Sequence, residues 1–330
     1  MRLHQPGPLT TDRLRPDELA EPVAGAGQLT VRVGACGVCR TDLQIASGDL
    51  AARRLPITLG HQAVGRVVDV GPDVTGWNIG DRIGAYWLAH ACGHCRFCRT
   101  ERENLCVEAE FTGWDRDGGF AEYLSVEATI AVPVPDGMTD LQAAPLLCGG
   151  VIGYRALRRA HVAPGQRVGL FGFGASALCA IQVARHWGCE VYVCTRSHDE
   201  RQRARELGAV WTGGYDDPCP VPLDAAVTFA PVGWVVTRAL AALDRGAIVA
   251  VNAIHLDEIP AFDYADLWWE RSIASVANVT RADAREFLTL AAEIPIQTSI
   301  DVFALEDANA ALTALETGRV RGAAVLAIDA

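Results

Sequence analysis

The chain of 330 residues lacks an excess of positive charge: Lys plus Arg number 29 against 40 Asp plus Glu, for a net charge of −11. Nucleic acid and anionic membrane surfaces are poor partners for such a chain, and small soluble ligands are expected instead. It also lacks any stretch approaching the roughly 18 consecutive apolar residues of a membrane span. The opening Met1-Arg2-Leu3-His4-Gln5-Pro6 has no charged segment followed by an apolar run, so a cytoplasmic location is expected. No internal repeat or low-complexity tract is present. Cysteine, by contrast, is plentiful. Eleven cysteines, an odd number, imply reduced thiols divided between metal ligands and core positions. Half the residues are hydrophobic and the length exceeds a single core, so two domains are expected.

Four of those cysteines, Cys92, Cys95, Cys98 and Cys106, follow the spacing C-x2-C-x2-C-x7-C. That spacing lets four thiolates converge on one tetrahedral ion at about 2.3 Å each, and zinc is the expected occupant. The first three alone would allow an iron–sulfur site, although the last gap fits a ferredoxin pattern badly. Disulfide pairing would need an oxidising setting that nothing else in the chain suggests.

Leu29 to Ala35 alternates as a half-buried strand and is expected to deliver Cys36 and Cys39 to a turn. Further short strands are expected over Ala63 to Gly71, after Gly80-Asp81 toward Tyr86, and from Gly118 to Pro135. These imply a β-rich first domain with the four-cysteine lobe, 90–107, as a loop excursion. The texture changes near Cys148-Gly149-Gly150. Val151 to Arg159 has helical spacing, and Val168 to Phe171 is an apolar strand running into Gly172-Phe173-Gly174-Ala175-Ser176-Ala177. A helix to Trp187 and a strand over Glu190 to Cys194 complete the first half of a dinucleotide-binding βαβ unit. Alternating helices and strands continue to Val276. From Arg281 the chain reads helix, strand, helix, strand, a tail too short for its own core, expected to return to the first domain. The expected domains are therefore 1–149 with 281–330, and 150–280.

In the glycine turn, Gly172 permits the tight bend, Gly174 lets the backbone approach a pyrophosphate and Ala177 packs helix on strand. The amides opening the helix, at Ala175 and Ser176, receive the negative charge. Where an acidic residue at the end of the second strand would bond a ribose hydroxyl, this chain has Thr195-Arg196-Ser197. Two hydroxyls and a guanidinium suit a 2′-phosphate, so NADP(H) is the favoured cofactor, with NAD(H) possible; the alternative is that Arg196 is a solvated loop cation. Cys36, Cys39, Asp42, His61 and Cys148 are scattered, and spacing alone does not join them.

Taken in order, the four-cysteine lobe, Gly-Val-Cys39-Arg40-Thr41-Asp42, Gly60-His61, Cys148-Gly149 and the glycine turn resemble the zinc-dependent medium-chain alcohol dehydrogenases along the whole chain. The resemblance implies an α/β protein with a β-rich GroES-like catalytic domain and a Rossmann doubly wound parallel sheet for the cofactor. It implies two zinc ions per chain: a catalytic one on Cys39, His61 and Cys148 with a fourth position for water or substrate oxygen, and a structural one on the four-cysteine lobe. Asp42 would accept a hydrogen bond from the far nitrogen of His61, Thr41 would take the alcohol proton, and Arg40 would contact the cofactor pyrophosphate. Cys36 is assigned to packing. Trp87 and Trp114 are candidates for walls of an apolar substrate pocket, and a homodimer or homotetramer is implied.

Two departures stand out. Gln44 occupies the place of the histidine that often passes the proton to solvent; it cannot titrate, which bears more on alcohol oxidation than on carbonyl reduction. Gln62 replaces the usual glutamate after the ligand histidine, making the metal surroundings more positive. The expected activity is NADPH-linked interconversion of a small to medium apolar alcohol and its carbonyl compound. A reductase of the same fold acting on C=N or activated C=C bonds, and a non-catalytic nucleotide-binding zinc protein, are the alternatives.

Overall fold

A computed structural model describes residues 1–8, 13–294 and 296–328. The chain divides into two compact units, Met1–Cys148 with Asn278–Ala330, and Gly149–Ala277.

The first unit is organised on the 11-residue strand Gln28–Val38. Leu29, Val31 and Val33 alternate into the interior, each at most 1% exposed, while Arg32 points outward; a period of two presents one apolar face. Ala63–Val70 pairs antiparallel along one edge. The other edge is shared, Tyr123–Glu127 taking the first half and Ala323–Ala327 the last. The sheet continues through Arg82–Ala85 to Val132–Pro133 on one side, and on the other to Ile300–Ala304, parallel to Ala323–Ala327.

Sequence alternation ends this strand at Ala35, with Cys36 and Cys39 in a turn. In the structure it runs on to Val38, because Cys36 and Val38 are held in register by Leu326 and Ala324 of the returning C-terminal strand. Cys36 is thus inside the sheet and fully buried, and burial pushes its thiol pKa far up. Only Cys39 emerges, and the chain passes directly from it into a helix, Arg40–Ser47. Asp42, at the third helical position, accepts the Cys39 backbone N–H at 2.8 Å, and Gly48 closes the helix at φ 94°. Cys148 is delivered by a helical turn, Asp140–Ala143, and a tighter one, Ala144–Leu147. Thr139 and Gln142 cap that turn reciprocally: Thr139 N–H donates to Gln142 Oε1 at 3.0 Å, and Gln142 N–H to Thr139 Oγ1 at 3.2 Å.

The four-cysteine lobe holds two short helical turns, Cys98–Thr100 and Glu103–Leu105. Glu103 is 2% exposed, and its Oε1 accepts the backbone N–H of Arg281 at 2.6 Å and Arg281 Nε at 3.2 Å. The lobe is thereby fastened to the start of the helix Arg281–Glu293, and a buried carboxylate gains the charged partner it requires. Other ion pairs are Arg53 with Asp115 and Arg82 with Asp140, and in the second unit Arg167 with Asp224. Every basic side chain in these pairs is an arginine, since the chain contains no lysine.

The second unit is a six-stranded parallel sheet in the order Trp211–Gly213, Glu190–Cys194, Arg167–Phe171, Leu223–Thr228, Leu243–Val251, Ser272–Ser275. Numbered along the chain within this unit, that order is 3-2-1-4-5-6, the Rossmann doubly wound arrangement. Val168, Leu170, Val191, Val193, Ala225 and Val227 are all fully buried, as strands covered on both faces require. The order reverses beside Arg167–Phe171, and the glycine turn leaves that strand at its C-terminal end, where such sheets take their ligands. Among the described residues no helix is long and apolar enough to cross a membrane.

Because Leu326 is fully buried on the strand that completes the first sheet, Leu326→Ala is expected to cost about 2–5 kcal/mol. A urea titration checks this, and an unchanged midpoint would deny that strand its place in the core.

Candidate functional site

Strand, helix cap and helical turn bring Cys39, His61 and Cys148 together, their ligand atoms all within 4.8 Å of one another. Cys39 Sγ and Cys148 Sγ are 3.8 Å apart. A disulfide needs about 2.05 Å. Two sulfurs on one tetrahedral ion at about 2.3 Å, in contrast, are separated by about 1.6 bond lengths, or roughly 3.8 Å. The donor set and its spacing therefore fit zinc.

The charges of the site point the same way. Cys39 and Cys148 share a hydrogen bond: the one from Cys148 holds the Cys39 thiol well below its ordinary pKa, while the Cys148 thiol is driven well above it. His61 is 1% exposed. Burial alone would depress its pKa, but the Asp42 carboxylate and the Cys39 sulfur outweigh burial and hold it up at about 10. A metal entering this site displaces protons from sulfur and imidazole, so its uptake is favoured by rising pH.

Asp42 is fully buried and serves three groups. Its Oδ2 accepts from Cys39 N–H at 2.8 Å and its Oδ1 from Gly60 N–H at 3.1 Å. His61 Nδ1 lies 3.2 Å from Oδ1, at ion-pair distance but outside hydrogen-bond geometry, so the contact is one of charge. Thr41 is buried beside them, with Oγ1 3.9 Å from Cys39 Sγ. Arg40 is exposed at the start of the helix, Gln44 is half-buried and Gln62 is buried.

In the lobe, Cys92, Cys95, Cys98 and Cys106 also converge within 4.8 Å. Cys98 Sγ is 3.9 Å from Cys92 Sγ and 3.6 Å from Cys95 Sγ, again near the tetrahedral edge. Backbone N–H groups of Cys92, Cys95 and Cys98 point at the sulfurs of Cys106, Cys92 and Cys95 at 3.4–3.5 Å. The Cys98 N–H bond lowers the Cys95 thiol to about 6, and burial pushes Cys98 up to about 12. All four ligand positions come from the chain, which leaves no opening for substrate.

Trp87 meets His61 edge-on, with ring centroids 5.0 Å apart and planes at 79°. It stacks on Phe111 at 5.0 Å and on Trp114 at 5.8 Å. Both sequence candidates for the pocket wall therefore lie in one stack. Phe111 was missed; its place three residues before Trp114, across a tight turn, was the available signal.

At the glycine turn, Gly172 has φ 93°, and a Cβ there would meet Ala230 N at 2.8 Å. Gly174 faces open space, Ala177 is fully buried and Ala175 is exposed beside half-buried Ser176. The helix Ala175–His186 thus starts at a glycine with no side chain to screen its first amides. At the end of the next strand, Thr195 is 2% exposed and its hydroxyl donates to Glu200, while Ser197 caps the following helix by accepting from Glu200 N–H at 3.3 Å. Arg196 is exposed, and Arg201 Nη1 donates to Thr195 O at 3.0 Å. Glu200 and Arg201 were not singled out from the sequence, because they lie in the following helix and not at the strand end.

Residues 25–136 match the family model of the alcohol dehydrogenase GroES-like domain. Over 99% of its length the chain is 46% identical to a Mycobacterium tuberculosis protein named "Probable alcohol dehydrogenase AdhA", covering 96% of that protein. The chain belongs to the zinc-type medium-chain alcohol dehydrogenase family. It is 34% identical to an alcohol dehydrogenase of Geobacillus stearothermophilus over 96% of each chain. Among solved structures it resembles the cobalt- and zinc-bound thermostable alcohol dehydrogenase of Pyrobaculum aerophilum, with TM-score 0.86, 26% identity and 99% coverage of both chains. As an alcohol dehydrogenase it acts on small-molecule alcohols, in a family whose chemistry uses zinc and a nicotinamide cofactor.

The positive φ and the close backbone at Gly172 make Gly172→Ala strained, at an expected cost of about 1–3 kcal/mol. Thermal unfolding should show a lowered midpoint; wild-type stability would mean that the turn relaxes freely.

Proposed function

We propose that this alcohol dehydrogenase is zinc-dependent and NADPH-preferring, and that it interconverts small to medium, largely apolar alcohols and their carbonyl compounds. The observation that carries the proposal is the convergence of two thiols 3.8 Å apart with a histidine backed by a buried carboxylate. Cys39, His61 and Cys148 would hold the catalytic zinc, and Cys92, Cys95, Cys98 and Cys106 the structural one. A bound zinc supplies Lewis acidity, polarising a carbonyl oxygen or easing loss of an alcohol proton. A bound nicotinamide gives or takes hydride at C4.

The protein's own residues do the rest. Asp42 faces His61 Nδ1 and so leaves Nε2 as the ligand nitrogen, fixing ring orientation. Thr41, buried beside Cys39, is the hydroxyl that exchanges the substrate proton. Gln44 cannot carry that proton onward by titrating, so the relay to solvent would end at a ribose hydroxyl or water. Trp87, with Trp114 stacked on it, gives the substrate an apolar wall. Gly172, Gly174, Ala175, Ser176 and Ala177 receive the cofactor pyrophosphate, with Arg40 as a further contact. Arg196 and Ser197 are the groups for a 2′-phosphate; Thr195, buried and bonded to Glu200, supports that segment from behind. The assembled enzyme is a homodimer or homotetramer.

Metal analysis is expected to find two zinc ions per chain, and chelation to abolish NADPH-linked aldehyde reduction. Full activity in metal-free protein would overturn the zinc assignment. For the cofactor, kcat/KM should be higher with NADPH than with NADH, and Arg196→Asp should lower the ratio by roughly 10- to 100-fold, the range of one charge-assisted hydrogen bond. A wild-type preference for NADH would refute the 2′-phosphate site.

A further inference from the structure

The aromatic stack beside His61 does not end at Trp114. The Arg53 guanidinium lies 3.8 Å from the Trp114 ring centroid and 5.6 Å from that of Phe111. Arg53 Nη1 also donates to both Asp115 oxygens, at 2.9 and 3.0 Å. Asp115 is held in turn, because its Oδ2 accepts the Phe111 backbone N–H at 2.9 Å. On the facing segment, Trp114 Nε1 donates to Ala51 O at 2.9 Å. The order is therefore carboxylate, guanidinium, Trp114 with Phe111, Trp87, and then the edge of the His61 ring.

We propose that Arg53 is a positioning residue for substrate selection: clamped by Asp115, it fixes the stack so that Trp87 presents a flat, rigid wall beside His61, which favours alcohols and aldehydes bearing an aromatic ring next to the reacting carbon. This rests on the proposal that His61 belongs to the catalytic zinc site. Two physical effects act together. A cation over an indole face is attractive even when partly solvated. Rings stacked with planes 19–30° apart form a surface that a flat substrate covers better than a branched one, and a wall already ordered costs less to bind against. Arg53 touches no reacting atom; it acts through Trp114 and Trp87.

The test uses zinc-loaded full-length enzyme with NADPH, comparing wild type, Arg53→Gln and Arg53→Lys on benzaldehyde and acetaldehyde. Near-ultraviolet circular dichroism of each protein reports the ordering of the stacked indoles. Wild type should prefer benzaldehyde. Arg53→Gln should lose roughly 3- to 10-fold of that preference, chiefly through KM for benzaldehyde, with a weakened near-ultraviolet signal. Arg53→Lys, which keeps the cation, should restore much of both. An unchanged benzaldehyde-to-acetaldehyde ratio in Arg53→Gln, or wild type with no aromatic preference, overturns the proposal. Wild type inactive on both aldehydes would instead defeat the assigned function, and an unaltered dichroism spectrum in Arg53→Gln would still overturn the clamp.

Discussion

The Asp42 carboxylate is the constraint on which the candidate metal site depends. A carboxylate with no exposure is costly to bury unless its lone pairs are occupied, and here the occupants come from separate parts of the chain. The Cys39 N–H brings the end of the central strand, the Gly60 N–H brings the turn before His61, and His61 itself brings the opposite charge. Satisfying one anion thus places two of the three candidate ligands. The third, Cys148, arrives independently on the turns capped by Thr139 and Gln142. A dication could enter this site only as the sulfur and imidazole protons leave, which ties its uptake to pH.

The same principle operates at Glu103. Its burial against Arg281 ties the four-cysteine lobe to a helix nearly two hundred residues later in the chain. The lobe is closed by sulfur on the inside and anchored by charge on the outside. The Cys39, His61 and Cys148 cluster, by contrast, has Thr41 and Trp87 beside it.

Much of the fold was legible because the signals were periodic. The strand Glu190–Cys194 and the helix beginning at Arg281 were read to the residue, and Val168 to Phe171 with its glycine turn announced the Rossmann sheet. The helix Arg40–Ser47 was not read: eight residues carry barely two turns of pattern, and its cap signal, the acid at Asp42, was already claimed by the metal chemistry. The extension of the central strand through Cys36 was invisible for another reason. It is imposed by Leu326, almost three hundred residues away, and no local propensity records such a partner. Four-cysteine spacing was readable because its ligands are neighbours in the chain. The ring stack of Trp87, Phe111 and Trp114, with Arg53 upon it, was only half legible, since Trp87 and Arg53 lie far from the Phe111–Trp114 turn in the chain and no local spacing joins them to it.

The exclusive use of arginine has a consequence for the conditions under which the enzyme works. Oxidising an alcohol releases a proton, so that direction is drawn forward as the medium becomes alkaline. A lysine begins to lose its charge near pH 10, whereas a guanidinium keeps it beyond pH 12. The pairs at Asp115, Glu103, Asp140 and Asp224 therefore retain both charges at the alkaline limit where the oxidative direction is strongest. The scaffold around the candidate metal site and the cofactor sheet thus keeps its ion pairs across a range of pH that would strip the charge from lysine.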